Sequence, residues 1–175
     1  MLSAMELYSE HGFEQTTAAD IAQRAGVTER TFFRYFADKR EVLFAGSRGL
    51  QDAVVGAITS APVEMTSMEV ASSAMESAAS RLASREYSRQ RALVIAANPS
   101  LQERELLKLA TLAGAIADAL RLRGVPKLEA GLAAEAGVTV FKIGFELWIG
   151  DESTGTLAQC MHEALDQLKK LTAEA

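Results

Sequence analysis

Helix-start signals recur along the whole chain, whereas strand signals are almost absent. A Thr, Ser or Asp is repeatedly followed three positions later by Asp or Glu, the spacing of an N-cap residue and its N3 partner. Such pairs are Thr17/Asp20, Asp38/Glu41, Thr66/Glu69 and Ser100/Glu103. No run alternates β-branched or aromatic residues with polar ones before a hairpin turn. The chain is therefore predicted to be all-α.

Glycines mark several helix ends. Gly12, Gly26 and Gly124 follow helical patterns and suit the left-handed backbone just beyond a helix C-terminus. The patterns predict helices near residues 1–11, 17–24, 28–35, 38–60, 66–84, 87–97, 100–123, 127–149 and 154–172. We expect a three-helix N-terminal domain (1–44) and a larger helical bundle (45–175), joined rigidly by the long fourth helix.

The composition narrows the possible functions. The 175 residues include one cysteine and two histidines far apart in sequence, which excludes a disulfide framework and argues against a metal site. No apolar run approaches the ~20 residues needed to cross a bilayer. No nucleophile motif, glycine-rich phosphate loop or paired carboxylates are present. We expect a cytoplasmic protein without a membrane segment, metal, cofactor or catalytic site.

The charge is unevenly distributed. The whole chain has a formal net charge of −5, yet between Arg24 and Arg48 six basic residues stand against three acidic ones. A local basic excess inside an acidic chain indicates a segment with an anionic partner.

Residues 17–36 have the spacing of a helix-turn-helix: a short helix, a turn through Gly26, and a second short helix capped by Thr28. With Phe32 facing the core, Arg30 and Arg34 point away from it. Two such arginines suit the major groove, where a guanidinium can hydrogen-bond guanine. The alternative is that both only solvate an exposed face. Packing of the helices is expected to bury Ile21, Ala22, Val27, Phe32 and Phe36.

A second basic feature follows at the predicted start of the fourth helix. Asp38 would cap a helix whose first turn carries Lys39 and Arg40, where the helix dipole disfavours cations. A DNA phosphate would relieve this conflict. Local pairing of the cations with Asp38 and Glu41 is the alternative.

The run from Gly12 to Leu43 has a set of short motifs at a characteristic spacing. They are Gly12-Phe13, Thr16-Thr17, Asp20-Ile21-Ala22, Ala25-Gly26-Val27, Tyr35-Phe36 and Lys39. This run resembles the DNA-binding domain of the TetR family of bacterial one-component regulators. The resemblance implies an all-helical homodimer whose DNA contacts come from Thr17, Thr28, Thr31, Phe33, Arg34, Tyr35 and Lys39. The helical wheel adds Arg30. Phe33 stands where the family usually has Tyr, so that position has no hydroxyl for a phosphate.

The later helices have broad apolar stripes, for example Leu106, Ala110, Ala113, Ile116 and Leu120. Such stripes are most often core. In the eighth predicted helix, Phe141, Phe145 and Trp148 share one face and are candidates to line a ligand cavity. The last two helices are predicted to pair with a second copy as a four-helix bundle, through Leu132, Ala133, Ala136, Val140, Leu157, Met161, Leu165 and Leu168.

The segment from Asn98-Pro99 through Arg104-Glu105 and Lys108 to Trp148 is also similar to the acyl-CoA-like ligand-binding domain of TetR regulators. Together these features predict a homodimeric transcriptional repressor. It would bind a palindromic double-stranded DNA operator and be released by a small hydrophobic, amphipathic or acyl-CoA-like effector. Two alternatives remain open: a DNA-binding dimer without an effector, and a small-molecule-binding helical protein without DNA function.

Overall fold

A computed structural model describes residues 2–150 and 154–173. Within these ranges the chain forms α-helices and one 3₁₀ helix, without strands. The helices are α1 Leu2–His11, α2 Ala18–Arg24, α3 Glu29–Tyr35, the 3₁₀ helix Glu41–Phe44, α4 Ser47–Ser60, α5 Ser67–Ala79, α6 Arg85–Ala96, α7 Pro99–Leu122, α8 Lys127–Ile149 and α9 Leu157–Ala173. The predicted all-α class, with a helix-turn-helix followed by a larger helical region, is confirmed.

Two predicted helix starts are complete capping boxes. The Asp20 backbone N–H donates to Thr17 Oγ1 (3.1 Å), while the Thr17 backbone N–H donates to the Asp20 carboxylate (2.8 Å). Thr66 and Glu69 form the same reciprocal pair at the start of α5. The prediction at Ser100 is wrong, because α7 already begins at Pro99. Proline has no N–H to leave unsatisfied and therefore suits the first position of a helix.

The predicted continuous helix over 38–60 is wrong. Asp38 Oδ1 accepts the backbone N–H groups of Arg40 (2.8 Å) and Glu41 (3.2 Å), but only the short 3₁₀ helix follows, and α4 starts at Ser47. The reason is packing, since Val42, Leu43 and Phe44 are all at most 4% exposed. Packing of this segment into the N-terminal core outweighs its helical pattern, and Gly46, a poor helix former, stands at the break before α4.

The predicted helix-end glycines are confirmed by positive φ angles of 80° at Gly12, 69° at Gly26 and 91° at Gly124. At Gly26 this conformation turns the chain between α2 and α3, where a side chain would be strained. Val27, predicted to be buried, follows in the turn and is 42% exposed.

The structure has two hydrophobic cores. The N-terminal core is built from α1, α2, α3 and the 3₁₀ helix, and includes Ile95 of α6 and Leu101 of α7. The second core joins α4, α5, α7, α8 and α9. Because α6 and α7 contribute to the first core, the N-terminal helices are packed directly on the bundle.

Close helix contacts in the bundle depend on small residues of α8. A Cβ added at Gly144 would lie 2.8 Å from Met161 Cα in α9, and one at Gly137 would lie 3.3 Å from Ala71 Cβ in α5. The stripe on α7 is only partly internal, because Ala113, Ile116 and Leu120 are buried whereas Leu106 is 62% exposed and Ala110 is exposed. A stripe spaced at seven residues drifts by roughly 20° per repeat around a straight helix.

Across residues 2–150 and 154–173, no helix combines the length and apolar character that a membrane span requires.

Candidate functional site

The local sequence fixes the geometry of α2 and α3. Thr28 Oγ1 accepts the backbone N–H of Thr31 (3.1 Å) and caps α3. Ile21 of α2 and Phe32 of α3 are 3% and 4% exposed, so the two helices share the N-terminal core through these side chains. The opposite side of α3 is thereby left to solvent.

That outward side of α3 carries the predicted contact residues. Arg30, Phe33, Arg34 and Tyr35 are exposed, and Thr31 is half-buried. The predicted positions Thr17 and Thr28, at the starts of α2 and α3, are also exposed. The set forms a surface with two cations and two aromatic rings, as the wheel predicts.

Arg34 and Tyr35 are in direct contact. Arg34 Nη2 donates to the Tyr35 hydroxyl (3.0 Å), and its guanidinium carbon lies 4.9 Å from the centre of the Tyr35 ring. Both side chains remain exposed, so the pair presents positive charge and hydrogen-bond donors to the surroundings. A guanidinium at the outer face of a short helix can recognise a guanine edge or a phosphate.

Lys39 is held by the backbone rather than extended into solvent. Its Nζ donates to the carbonyl oxygens of Phe13 (2.7 Å), Glu14 (3.1 Å) and Thr16 (2.9 Å). It also lies 4.3 Å from the centre of the Phe13 ring. These bonds use all three N–H donors of an ammonium. Lys39 therefore fixes the α1–α2 turn that leads into Thr17.

Other basic residues of the segment are paired within the chain. Arg24 forms two hydrogen bonds to the Glu10 carboxylate (3.1 and 2.7 Å), and these bonds lower the pKa of Glu10. Arg40 contacts Asp38 (2.6 Å). Burial alone would raise the pKa of Asp38, but hydrogen bonds from Arg40 and from two backbone N–H groups outweigh it, so this pKa lies below its ordinary value.

The predicted ligand residues form an aromatic ladder along α8. Ring centres are 6.0 Å apart for Phe141 and Phe145, and 5.9 Å apart for Phe145 and Trp148. Only Trp148 lines the cleft of about 460 Å³ between α5, α8 and α9. Phe141 is 9% exposed and belongs to the core. The cleft is otherwise lined by Ser73, Glu76, Ser77, Ala79, Ser80, Leu82, Ala83, Thr156, Leu157 and Ala158.

The apolar surface of the last two helices differs from the sequence prediction. Of the eight residues predicted to pair with a second copy, four are buried in the chain's own core, three are half-buried and Leu132 is exposed. The buried ones are Ala133, Val140, Leu157 and Met161, and the half-buried ones are Ala136, Leu165 and Leu168. Leu171 is exposed on α9, and further exposed apolar residues lie along the outer side of α8. They are Leu128, Leu132, Ile143 and Leu147.

Two family models match the chain. The model described as bacterial regulatory proteins of the tetR family matches residues 1–45. The model described as the MftR C-terminal domain matches residues 52–173, which is more than half of the chain. The chain belongs to the TetR family. It therefore belongs to a family of DNA-binding transcriptional regulators, in agreement with the sequence resemblance.

Curated TetR relatives match shorter segments. The HTH-type transcriptional regulator TcmR of Streptomyces glaucescens is 33% identical over 79 residues, which is 45% of this chain and 35% of TcmR. The putative mycofactocin biosynthesis transcriptional regulator MftR of Mycobacterium tuberculosis is 46% identical over 39 residues, 22% of this chain and 20% of MftR. The matched segments thus span about a third and a fifth of these relatives.

A solved TetR structure supports the fold. Thermus thermophilus FadR, described as a TetR family transcriptional repressor in complex with lauroyl-CoA, matches with a TM-score of 0.51 and 24% sequence identity. The match covers 95% of this chain and 90% of FadR.

In this TetR-family chain, sequence reasoning missed the contacts between the 3₁₀ helix and the bundle. Lys108 Nζ lies 3.1 Å from Glu41 Oε2, and Arg104 Nη1 lies 3.3 Å from Glu41 Oε1. The capping spacing identified Asp38 and Glu41 only as partners of each other. No local pattern signals a contact between residues 67 positions apart in the sequence.

Proposed function

We propose that this TetR-family regulator is a cytoplasmic homodimeric repressor that binds a palindromic DNA operator and is released by a small hydrophobic, amphipathic or acyl-CoA-like effector. Residues 1–44 would bind DNA, and residues 45–175 would dimerise and bind the effector. The observation that carries the DNA-binding role is the outward side of α3, where Arg30 and Arg34 are exposed together.

On DNA, the proposed contacts divide into two classes. Arg30 and Arg34, on a helix narrow enough for the major groove, are placed to read base edges. Thr28 and Tyr35 carry exposed hydroxyls suited to phosphate, and Thr31 and Phe33 lie beside the arginines. Thr17 is exposed too, but its hydroxyl donates to the Asp20 carboxylate (2.7 Å), so its proposed role is at the start of α2. Lys39 acts through its charge and by holding the turn before Thr17. Phosphate contacts orient the protein, and base contacts select the sequence.

For dimerisation, we propose the exposed apolar stripe of α8, together with the exposed Leu171 of α9. Leu128 and Leu132 are 77% and 65% exposed, and Leu171 of α9 is 73% exposed. Exposed apolar side chains in one stripe favour burial against a partner. A two-fold dimer places two copies of α3 on half-sites about one helical turn apart, which is why the operator would be palindromic.

For the effector, we propose entry at the cleft beside Trp148. Its lining combines apolar residues such as Leu157 with the hydroxyls of three serines and the carboxylate of Glu76, which suits an amphipathic molecule. FadR, which shares the fold, is described in complex with lauroyl-CoA. Release of DNA requires the effector to bind the non-DNA-binding conformation more tightly than the other, since equal affinity for both would shift nothing.

The experiment is selection from a random-sequence duplex library at two salt concentrations, with the mass of the complex measured in parallel. The proposal expects a dimer to enrich palindromic duplexes, with affinity that falls steeply as salt rises. A helical small-molecule binder without DNA function would enrich none. A dimer that enriches palindromes, but that no acyl-CoA or fatty acid stabilises against heat, would support the effector-independent alternative.

A further inference from the structure

The 3₁₀ helix is anchored to the bundle by side chains from α6 and α7. Arg91 of α6 donates from Nε to the Leu43 carbonyl oxygen (2.8 Å), and its guanidinium carbon lies 5.0 Å from the centre of the Phe44 ring. The same guanidinium contacts Glu105 of α7 (3.1 Å). Arg91 therefore attaches the 3₁₀ helix to α6 and at the same time links α6 to α7.

Glu41 forms the ionic part of this attachment. Its two carboxylate oxygens face different cations of α7, Oε1 at 3.3 Å from Arg104 Nη1 and Oε2 at 3.1 Å from Lys108 Nζ. The side chains of Glu41, Arg104 and Lys108 are only 21%, 28% and 31% exposed. Arg104 also lies 3.8 Å from Asp38. Partly buried charges are screened by salt less than fully exposed pairs, so salt weakens this contact less than it would a surface ion pair.

The recognition helix is coupled to Glu41 through a short, restrained segment. Lys39 lies between the C-terminus of α3 and Glu41, and its carbonyl oxygen accepts the Tyr8 hydroxyl of α1 (2.7 Å). Its ammonium is bound to the α1–α2 turn. With both sides of this segment restrained, the contact of Glu41 with α7 adds an ionic link to the apolar contacts of Ile95 and Leu101 that hold the N-terminal helices on the bundle.

In a two-fold dimer joined through its bundles, the position of α3 on each bundle also fixes the distance between the two copies of α3. We infer that Glu41 is a positioning residue that sets the half-site spacing of the operator through Arg104 and Lys108, without touching DNA. The inference rests on the proposed function as a dimeric operator-binding regulator. Base preference within each half-site would remain the task of α3.

The test measures the preference of the dimer for one half-site spacing separately from its preference for bases within each half-site. Duplexes enriched by the wild-type dimer are resynthesised with the central spacer shortened or lengthened by single base pairs, and affinities are measured for the wild type, Glu41→Gln and Lys108→Gln. Glu64→Gln is the control, because it removes the same charge from an exposed loop. Helical content and thermal unfolding of each variant verify folding.

We expect the wild type and Glu64→Gln to prefer one spacer length. In Glu41→Gln that preference should fall by about tenfold, a typical size for loss of a coupled contact, while base preference within the half-site stays unchanged. Lys108→Gln should give a smaller broadening from the bundle side, because Arg104 still faces Glu41, and the double variant should be no broader than Glu41→Gln alone. The shared, non-additive effect would identify the Glu41–Lys108 contact as its cause.

Failure of the proposed function and failure of the role of Glu41 give different results. If the wild type enriches no duplex, both the proposed function and the role of Glu41 are overturned. If the wild type enriches palindromes of one spacing, and folded Glu41→Gln and Lys108→Gln keep that spacing preference in full, only the role of Glu41 is overturned.

Discussion

The ammonium of Lys39 donates a 2.7 Å hydrogen bond to the carbonyl oxygen of Phe13, 26 residues earlier in the chain. A residue at a family DNA-contact position therefore also holds together the turn before α2. Its loss should therefore lower stability, separately from its effect on the proposed DNA contact.

Lys39→Ala should lower the free energy of unfolding by about 1–3 kcal/mol, because three backbone carbonyls lose their charged donor. Urea unfolding measures this loss. Lys169→Ala, at an exposed position of α9, should change stability by less than about 0.5 kcal/mol. Unchanged stability of Lys39→Ala would mean that the carbonyl contacts contribute nothing in solution.

Gly144→Ala should destabilise the bundle by about 1–3 kcal/mol, since overpacking forces neighbouring groups apart. The added Cβ would lie 2.8 Å from the Met161 backbone. Gly114→Ala in α7 is the matched control, because no atom lies within 4 Å of its added Cβ. That control should gain up to about 1 kcal/mol from helix propensity. Equal effects of the two substitutions in thermal unfolding would contradict the close α8–α9 contact.

Substitutions in the two capping boxes distinguish a loss of helix stability from a loss of DNA contact. Thr66→Ala and Thr17→Ala should each cost about 0.5–2 kcal/mol of stability, because each leaves an N-terminal backbone N–H unsatisfied. Only Thr17→Ala should also weaken binding to a selected duplex, and Thr17→Ser should restore both properties. If Thr66→Ala weakened DNA binding equally, Thr17 would have only a capping role.

The lowered pKa of Asp38 predicts how the stability of the protein depends on pH. Its folded pKa lies below the ordinary value of 3.8, so its charge stabilises the folded state above about pH 4. That stabilisation is lost as pH falls through the folded value. Asp38→Asn removes the charge, and the gap in unfolding free energy between wild type and variant should therefore narrow below pH 4. A gap that stays constant from pH 7 to below pH 4 would show that the charge of Asp38 is not responsible.

Local features of the fold were predictable from sequence because their causes are local. The pair Thr17 and Asp20 determines a helix start within four residues, and the conformational freedom of Gly26 determines the turn that follows. The break after Asp38 was not predictable, because it depends on the burial of Leu43 and its neighbours against the N-terminal core.

The candidate site was predictable to a similar extent. A helical wheel places Arg30 and Arg34 on the side opposite Phe32, and both are exposed in the structure. The wheel gives the direction of a side chain but not its partner. Neither the carbonyl contacts of Lys39 nor the approach of Lys108 to Glu41 leaves a pattern in the sequence.

The most direct measurement compares affinity for the best selected duplex with affinity for a scrambled duplex of equal composition, in the wild type and in Arg34→Ala. A sequence-reading α3 predicts that the wild type prefers the selected duplex by roughly 10³-fold or more. In Arg34→Ala that ratio should fall by about 10- to 100-fold, as one base contact is lost. Equal affinity of the wild type for both duplexes would contradict operator recognition by this chain.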